Sequence, residues 1–307
     1  MKTLINYISI VAIAITSISC GGADDVKTNN KTVICTTETI SDAIKNILPS
    51  TFKVEALMGP GVDPHTYKSK SSDLKGLLSA DAIVYNGIHF EANLVEAIHN
   101  MSKKQFVIGL GNIVPEERLR STTDFGTAYD PHFWHDVNLF ATSIELASKL
   151  FIKQFPNDSS YIDSATVAYL TQLTETENFV KEQLKSIPDS SRVMITAHDA
   201  FGYYGRAFDI EVKGVQGIST SSDISIRGIT DLTDFIVTRK IKAIFVENSV
   251  SEKNIKSVSE GCEAKGHTLN QGGTLFSDGL GDEKSGANTY IKMIKKNTTT
   301  IVEALKQ

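Results

Sequence analysis

Residues 160–187 read SYIDSATVAYLTQLTETENFVKEQLKSI, and this stretch decides how the rest of the chain is organised. Ile162, Ala165, Tyr169, Leu173, Thr176, Val180, Leu184 and Ile187 recur at steps of three and four, and no Pro or Gly interrupts them before Pro188. That period predicts one amphipathic helix, roughly 40 Å long at 1.5 Å per residue. On either side of it the same rhythm occurs. Before it, short β-branched runs fall at residues 31–37 (KTVICTT), 52–58 (FKVEALM), 81–87 (DAIVYNG) and 106–111 (FVIGLG). After it, they fall at 192–198 (RVMITAH), 211–218 (EVKGVQGI), 242–248 (KAIFVEN) and 267–276 (HTLNQGGTLF). Helical patterns at 41–48, 70–78 and 229–239 lie between them. Strands alternating with helices imply parallel βαβ units. The expected fold is therefore α/β, with two four-stranded parallel-sheet lobes joined by a long rigid helix.

The N-terminus sets the compartment. One positive charge, Lys2, precedes an apolar run from Leu4 to Ile18. That run is shorter than the roughly 20 apolar residues a stable membrane-spanning helix needs, which favours a cleaved leader. It ends in Ser17-Ile18-Ser19-Cys20, followed by Gly21-Gly22 and a polar stretch. Small residues before a cysteine at that point resemble a bacterial lipobox, although Ser17 stands where an aliphatic residue is usual. Cys20 is the expected lipidation site. The chain then divides into a signal peptide (1–19), a flexible tether (20–30), an N-terminal lobe (31–159), the linking helix (160–187) and a C-terminal lobe (188–307). The 307 residues less the leader's 19 leave 288, ample for two lobes. A formal charge of −5 without a basic stripe argues against nucleic acid as a partner. Cys35 and Cys262 form neither a C-x-x-C pair nor a disulfide framework.

The chemistry lies in the histidines. The tripeptide Asp-Pro-His occurs twice, as Asp63-Pro64-His65 after the second strand and Asp130-Pro131-His132 after the fourth. Proline fixes its own φ and pushes the preceding Asp to an extended conformation, so each histidine leaves its loop at a defined angle. His198 closes the fifth strand and Asp278 follows the eighth. All four sit at carboxyl ends of predicted strands, two per half, and ligands of open α/β sheets bind at that edge. If the two edges face each other, His65, His132, His198 and Asp278 meet in the cleft between the lobes. Three imidazoles and one carboxylate suit a borderline divalent cation better than calcium or copper(I).

Several segments together resemble one family. These are 61–67 (GVDPHTY), 86–94 (NGIHFEANL), 129–134 (YDPHFW), 196–202 (TAHDAFG), 212–225 (VKGVQGISTSSDIS), 245–251 (FVENSVS) and 277–281 (SDGLG). In this order they are similar to the cluster A-I, TroA-like substrate-binding lipoproteins of zinc and manganese ABC transporters. The resemblance spans essentially the whole mature chain. It implies two α/β lobes on a rigid helix, the four ligands above, and Mn²⁺ or Zn²⁺ bound as cargo. It further implies a cognate ABC permease with its cytoplasmic ATPase, a lipid anchor in the bacterial membrane at the periplasmic face or cell surface, and a monomer. The His-rich loop of many zinc binders is absent from residues 112–130, and the Asn-Gly-Ile-His-Phe-Glu segment resembles manganese-associated members; the third imidazole favours zinc.

The other polar residues carry weaker expectations. Glu247 is expected to accept the second ring N–H of a ligating histidine. His89 is expected to be hydrogen-bonded behind the site, His135 to be exposed to solvent, and His99 and His267 to stand away from it. Two other functions compete. A metal-dependent hydrolase also uses three histidines and an acid, but no His-Glu-x-x-His helix, Gly-x-Ser-x-Gly elbow or P-loop occurs. A surface adhesin with a structural metal site gives no reason for four convergent ligands.

Overall fold

The computed structural model describes residues 30–122, 129–221 and 224–306. The expected leader, Cys20 and most of the tether lie outside the described residues. The first lobe runs β1 (Lys31–Cys35), α1 (Glu38–Ile47), β2 (Phe52–Ala56), α2 (Ser71–Ser79), β3 (Ala82–Tyr85), α3 (Val95–Met101), β4 (Phe106–Gly109) and α4 (Val137–Gln154). The helix α5 (Ser159–Leu184) follows. The second lobe runs β5 (Val193–His198), α6 (Gly202–Phe208), β6 (Glu211–Gln216), α7 (Ile226–Arg239), β7 (Ala243–Glu247), α8 (Lys253–Ala264), β8 (Asn270–Leu275) and α9 (Tyr290–Leu305). The two sheets have equivalent orders, β2-β1-β3-β4 and β6-β5-β7-β8, and every pairing is parallel.

Each strand is shorter than its hydrophobic run, and most end early. Thr36, Met58, Asn86 and Gly111 still make single backbone bonds beyond their strands, then the chain peels off into loops. At the start of β8 the reason is local. The His267 amide bonds back to Cys262 O and its Nε2 meets Ile241 O at 2.6 Å, so His267 is tied to the turn after α8 instead of opening the strand.

Side chains of successive strand residues point to opposite faces, and this alternation builds the core. Val33, Cys35, Ala82 and Val84 on the first sheet, with Met194, Ala243 and Phe245 on the second, face one continuous apolar cluster. Ile162, Tyr169, Leu173, Val180 and Leu184 of α5 belong to the same cluster, so the helix lies under both sheets. The intervening residues face outward into separate layers, Ile34 and Ile83 under α2 and α3, Ile195 and Ile244 under α7 and α8. The lobes thus share their largest core. Arg192 closes the far end of α5, its Nη2 donating at 3.0 Å to Leu184 O, a helix-end carbonyl that also accepts the Ile187 amide at 3.1 Å. Cys35 and Cys262 are both free and buried, in different lobes.

The first residue of α9 ties the lobes directly. The Tyr290 amide donates to Asp42 Oδ2 of α1 at 2.8 Å, and its buried hydroxyl donates to Trp134 O at 2.7 Å. Its ring packs on Phe140, centroids 4.2 Å apart. Tyr290→Phe keeps the packing and strands a buried carbonyl, which costs about 1–3 kcal/mol. Urea unfolding of this variant is expected to show that loss; unchanged stability would mean the bond contributes nothing.

Candidate metal centre

The two Asp-Pro-His loops fold in the same way. In each, the aspartate Oδ1 accepts the amide of its own histidine, His65 at 2.9 Å and His132 at 3.0 Å. This is the local turn that Asp favours when a rigid Pro follows. Beyond that the two diverge. Asp130 Oδ1 also pairs with His132 Nδ1 at 2.7 Å, while its Oδ2 takes Arg120 Nη1 at 2.6 Å. Asp63 Oδ2 instead accepts Thr66 Oγ1 at 3.0 Å and Thr220 Oγ1, from the other lobe, at 2.6 Å.

His198 is the last residue of β5, and Glu247 is the last of β7 beside it. Glu247 accepts the His198 amide at 3.0 Å and pairs with His198 Nδ1 at 2.6 Å. The backbone of β6 passes close by. A Cβ on Gly214 would lie 2.4 Å from Asp199 N, so only glycine lets that strand reach its pairing position. Asp278 lies two residues past the clamp that Asn297 makes on Phe276, accepting its amide at 2.9 Å and donating to its carbonyl at 2.8 Å.

These four side chains are brought together, all buried, with one ligand atom from each lying within 4.8 Å of the others. His65 Nε2 is 3.2 Å from His132 Nε2. Asp278 Oδ1 is 3.4 Å from His132 Nε2, and its Oδ2 is 3.3 Å from His198 Nε2 and 3.9 Å from His65 Nε2. Four donors around a tetrahedral zinc at about 2.0–2.1 Å are separated by about 3.4 Å, so the observed spacings are those of a coordination shell. Among the described residues, both oxygens of Asp278 and Nε2 of His198 have no hydrogen-bond partner. Buried polar atoms without partners are rare and costly, and a cation at the common centre satisfies all of them. With the Nδ1 atoms of His132 and His198 committed to carboxylates, the Nε2 lone pairs point inward, the arrangement metal-ligating histidines use.

Electrostatics reflect the same set. Burial opposes a charge on His198, but Asp278 and Glu247 outweigh it and hold the imidazole well above its usual range. Burial likewise opposes charging His132, and Asp130 and Asp278 raise it. Burial alone would raise Asp278, yet the three imidazoles hold it well below the usual carboxylate range. His65 is pushed down to about 3, chiefly by burial. Without a metal, the Asp278 carboxylate thus favours the charged forms of His132 and His198.

Each ligand has a contact with the opposite lobe within three residues. Thr220 reaches Asp63. Arg120, bound to Asp130, also approaches Asp199 at 3.5 Å, and Gly202 leaves room for it, since a Cβ there would lie 2.2 Å from its guanidinium. Trp134 Nε1 donates to Ser277 O at 3.0 Å. His135 stacks on Phe201, centroids 4.3 Å apart and 31° inclined.

Two expectations are corrected here. His135 is fully buried, not exposed, and burial pushes it down to about 3; the cause is Phe201 of the other lobe, which covers it. His89 is exposed at the mouth of the cleft, not hydrogen-bonded behind the site. The buried group behind the site is Glu91, which accepts Asn86 N at 2.6 Å and Thr36 Oγ1 at 2.7 Å, while Asn86 Nδ2 donates to Pro131 O at 3.0 Å. Sequence reasoning gave no role to Glu91, Asp130 or Arg120. An acid set between the apolar Phe90 and Ala92 was the signal available for Glu91. His99 is exposed on α3 and His267 is engaged at the end of α8, both away from the cluster.

Comparison with known proteins agrees with this geometry. The profile of the family described as "Zinc-uptake complex component A periplasmic", ZnuA, matches residues 33–304. The zinc-binding protein TroA of Treponema pallidum (strain Nichols) is 37% identical over 285 residues, 92% of each chain. The manganese-binding lipoprotein MntA of Bacillus subtilis (strain 168) is 38% identical over 274 residues, 89% of each chain. The metal ABC transporter substrate-binding lipoprotein SsaB of Streptococcus sanguinis is 25% identical over 99% of each chain. The solved structure of the Treponema periplasmic zinc-binding protein superposes with a TM-score of 0.86 at 37% identity, covering 90% of this chain and 99% of that one.

The charge pattern fixes a pH dependence. Groups whose folded pKa is raised, His132 and His198, stabilise fully below the unfolded value of about 6.5 and lose that contribution as pH rises through their folded values. Asp278, depressed, contributes above about 3.9 and loses it on acidification. The melting temperature of metal-free protein should therefore fall as pH rises above about 6.5. With zinc bound the imidazoles are already deprotonated, so over the same rise it should hold or increase. Scanning calorimetry with and without zinc checks this, and a metal-free melting temperature that climbs with pH contradicts it.

Proposed function

This chain belongs to the zinc-uptake complex component A (ZnuA) family of periplasmic proteins, and from that premise we propose that it captures Mn²⁺ or Zn²⁺ outside the cytoplasm and delivers it to an ABC import permease. The observation that carries the reading is the convergence of His65, His132, His198 and Asp278 from the two lobes, with His198 Nε2 and both Asp278 oxygens left without a hydrogen-bond partner among the described residues. We assign these four as the metal ligands. Glu247 and Asp130 hold His198 and His132 in the tautomer that binds. Four inward-facing donors from two lobes are an arrangement for holding and releasing an ion, and we assign the protein the role of a carrier. The relatives named for binding zinc, for binding manganese and for belonging to metal ABC transporters support the cargo class and the transporter as partner.

The same reading assigns Cys20 as the acylated anchor, with residues 20–30 as tether and a monomeric two-lobed body beyond it. No helix among the described residues is long and apolar enough to cross a membrane, and two acyl chains provide the two signals stable anchoring needs.

Two experiments test it. Isothermal titration of metal-stripped protein should show one tight zinc site. Glu247→Gln should weaken it by roughly 10–100-fold, and Ala at any of the four ligands should weaken it further, whereas His99→Ala leaves it unchanged. A variant lacking one of the four that keeps full affinity removes that residue from the set. Separately, Cys20→Ser should move the protein from the membrane fraction to the soluble one, and unaltered membrane association would rule out the anchor.

A further inference from the structure

The cleft opens through a cavity of about 280 Å³ lined by His65 and His89 from the first lobe and by Ser219 and Ser221 from the second. His65 is the ligand nearest solvent, its side chain 4% exposed where those of the other three are sealed. His89 is exposed in the same cavity.

Its placement requires an unusual backbone. Gly87, Ile88 and His89 have φ of 83°, 51° and 59° in succession. A positive φ is uncommon for any residue with a Cβ and a genuine outlier for a β-branched one such as Ile88. Buried Glu91 pins the turn by accepting the amides of Asn86 and Gly87, and Asn112 Oδ1 accepts the Ile88 amide at 3.1 Å. One product of the turn is Phe90, whose ring stands edge-on to His65 at 5.0 Å and seals one side of the site. The other is the His89 imidazole at the entrance. Strain of this kind persists where a function is served.

We infer that His89 is an entry site for the cation, taking it from water and passing it to His65. This rests on the proposed metal-binding role of the cleft. A divalent ion reaches a buried four-ligand site only by losing its waters one at a time. An exposed imidazole in the entrance replaces the first of them by its lone pair, and His65 Nε2 then takes the ion as His89 lets go. A residue that touches the ion only in passage lowers the barrier in both directions equally. It changes both rates and leaves the affinity alone, which separates it from a ligand.

The test is stopped-flow binding of zinc, read through Trp134, the chain's only tryptophan, whose ring lies 5.3 Å from that of His132. His89→Gly removes the imidazole and suits the left-handed backbone. Association and dissociation should both slow by roughly tenfold, with the equilibrium constant unchanged within about twofold. His89→Asp, which also tolerates this conformation and supplies a carboxylate, should recover most of the rate. Unchanged association in His89→Gly overturns the inference. So does slower association with unaltered dissociation, since affinity would then fall and His89 would be a ligand or a support for the fold. Absence of zinc binding by the unaltered protein would instead defeat the functional proposal itself.

Discussion

A carboxylate with no hydrogen-bond donor of its own, buried among three imidazoles, is stable only where positive charge is supplied. Asp278 is that group. Leaving a buried charge unpaired costs several kcal/mol, so the protein must put protons or a metal ion next to it. The protonated imidazoles do so imperfectly, because each is itself desolvated. A divalent cation does so completely, and it also engages Nε2 of His198, which has no hydrogen-bond partner among the described residues. The rest of the fold can be understood as the means of holding such an arrangement open.

Holding it requires that two lobes behave as one body. The shared core along α5 provides the coarse constraint, since Tyr169 and Leu173 pack in the same cluster as Val33 on one sheet and Phe245 on the other. Finer constraints lie beside each ligand: Thr220 on Asp63, Arg120 between Asp130 and Asp199, Trp134 on Ser277, and His135 against Phe201. A histidine cannot shift without disturbing one of these bonds across the cleft. Metal exchange in this molecule therefore calls for local movement of the loops that carry the ligands, with α5 as a fixed strut.

Much of this was legible in the sequence because it rests on local regularities. The spacing of Ile162 through Leu184 gave α5, and β-branched runs gave all eight strands. The Asp-Pro-His repeats, with His198 and Asp278 at strand ends, singled out the four side chains that the structure brings together. What was not legible depends on the other lobe. Nothing near His135 announces that Phe201 will bury it. Nothing near Arg120 announces two aspartates, one of them 79 residues away. His89 was misplaced for a different reason: three consecutive left-handed residues turn its side chain out to the cleft, and only the glycine among them is visible as a signal. Strand ends overshot because hydrophobic runs continue into the loops that leave the sheet to build the site.

We assign to these four side chains, held by the two-lobed scaffold, one divalent cation. Anomalous diffraction from crystals of the zinc-loaded protein tests this assignment most directly. A single strong peak is expected in the cleft, about 2.0–2.2 Å from Nε2 of His65, His132 and His198 and from a carboxylate oxygen of Asp278. A peak elsewhere, or one from which any of the four stands beyond bonding distance, would contradict it.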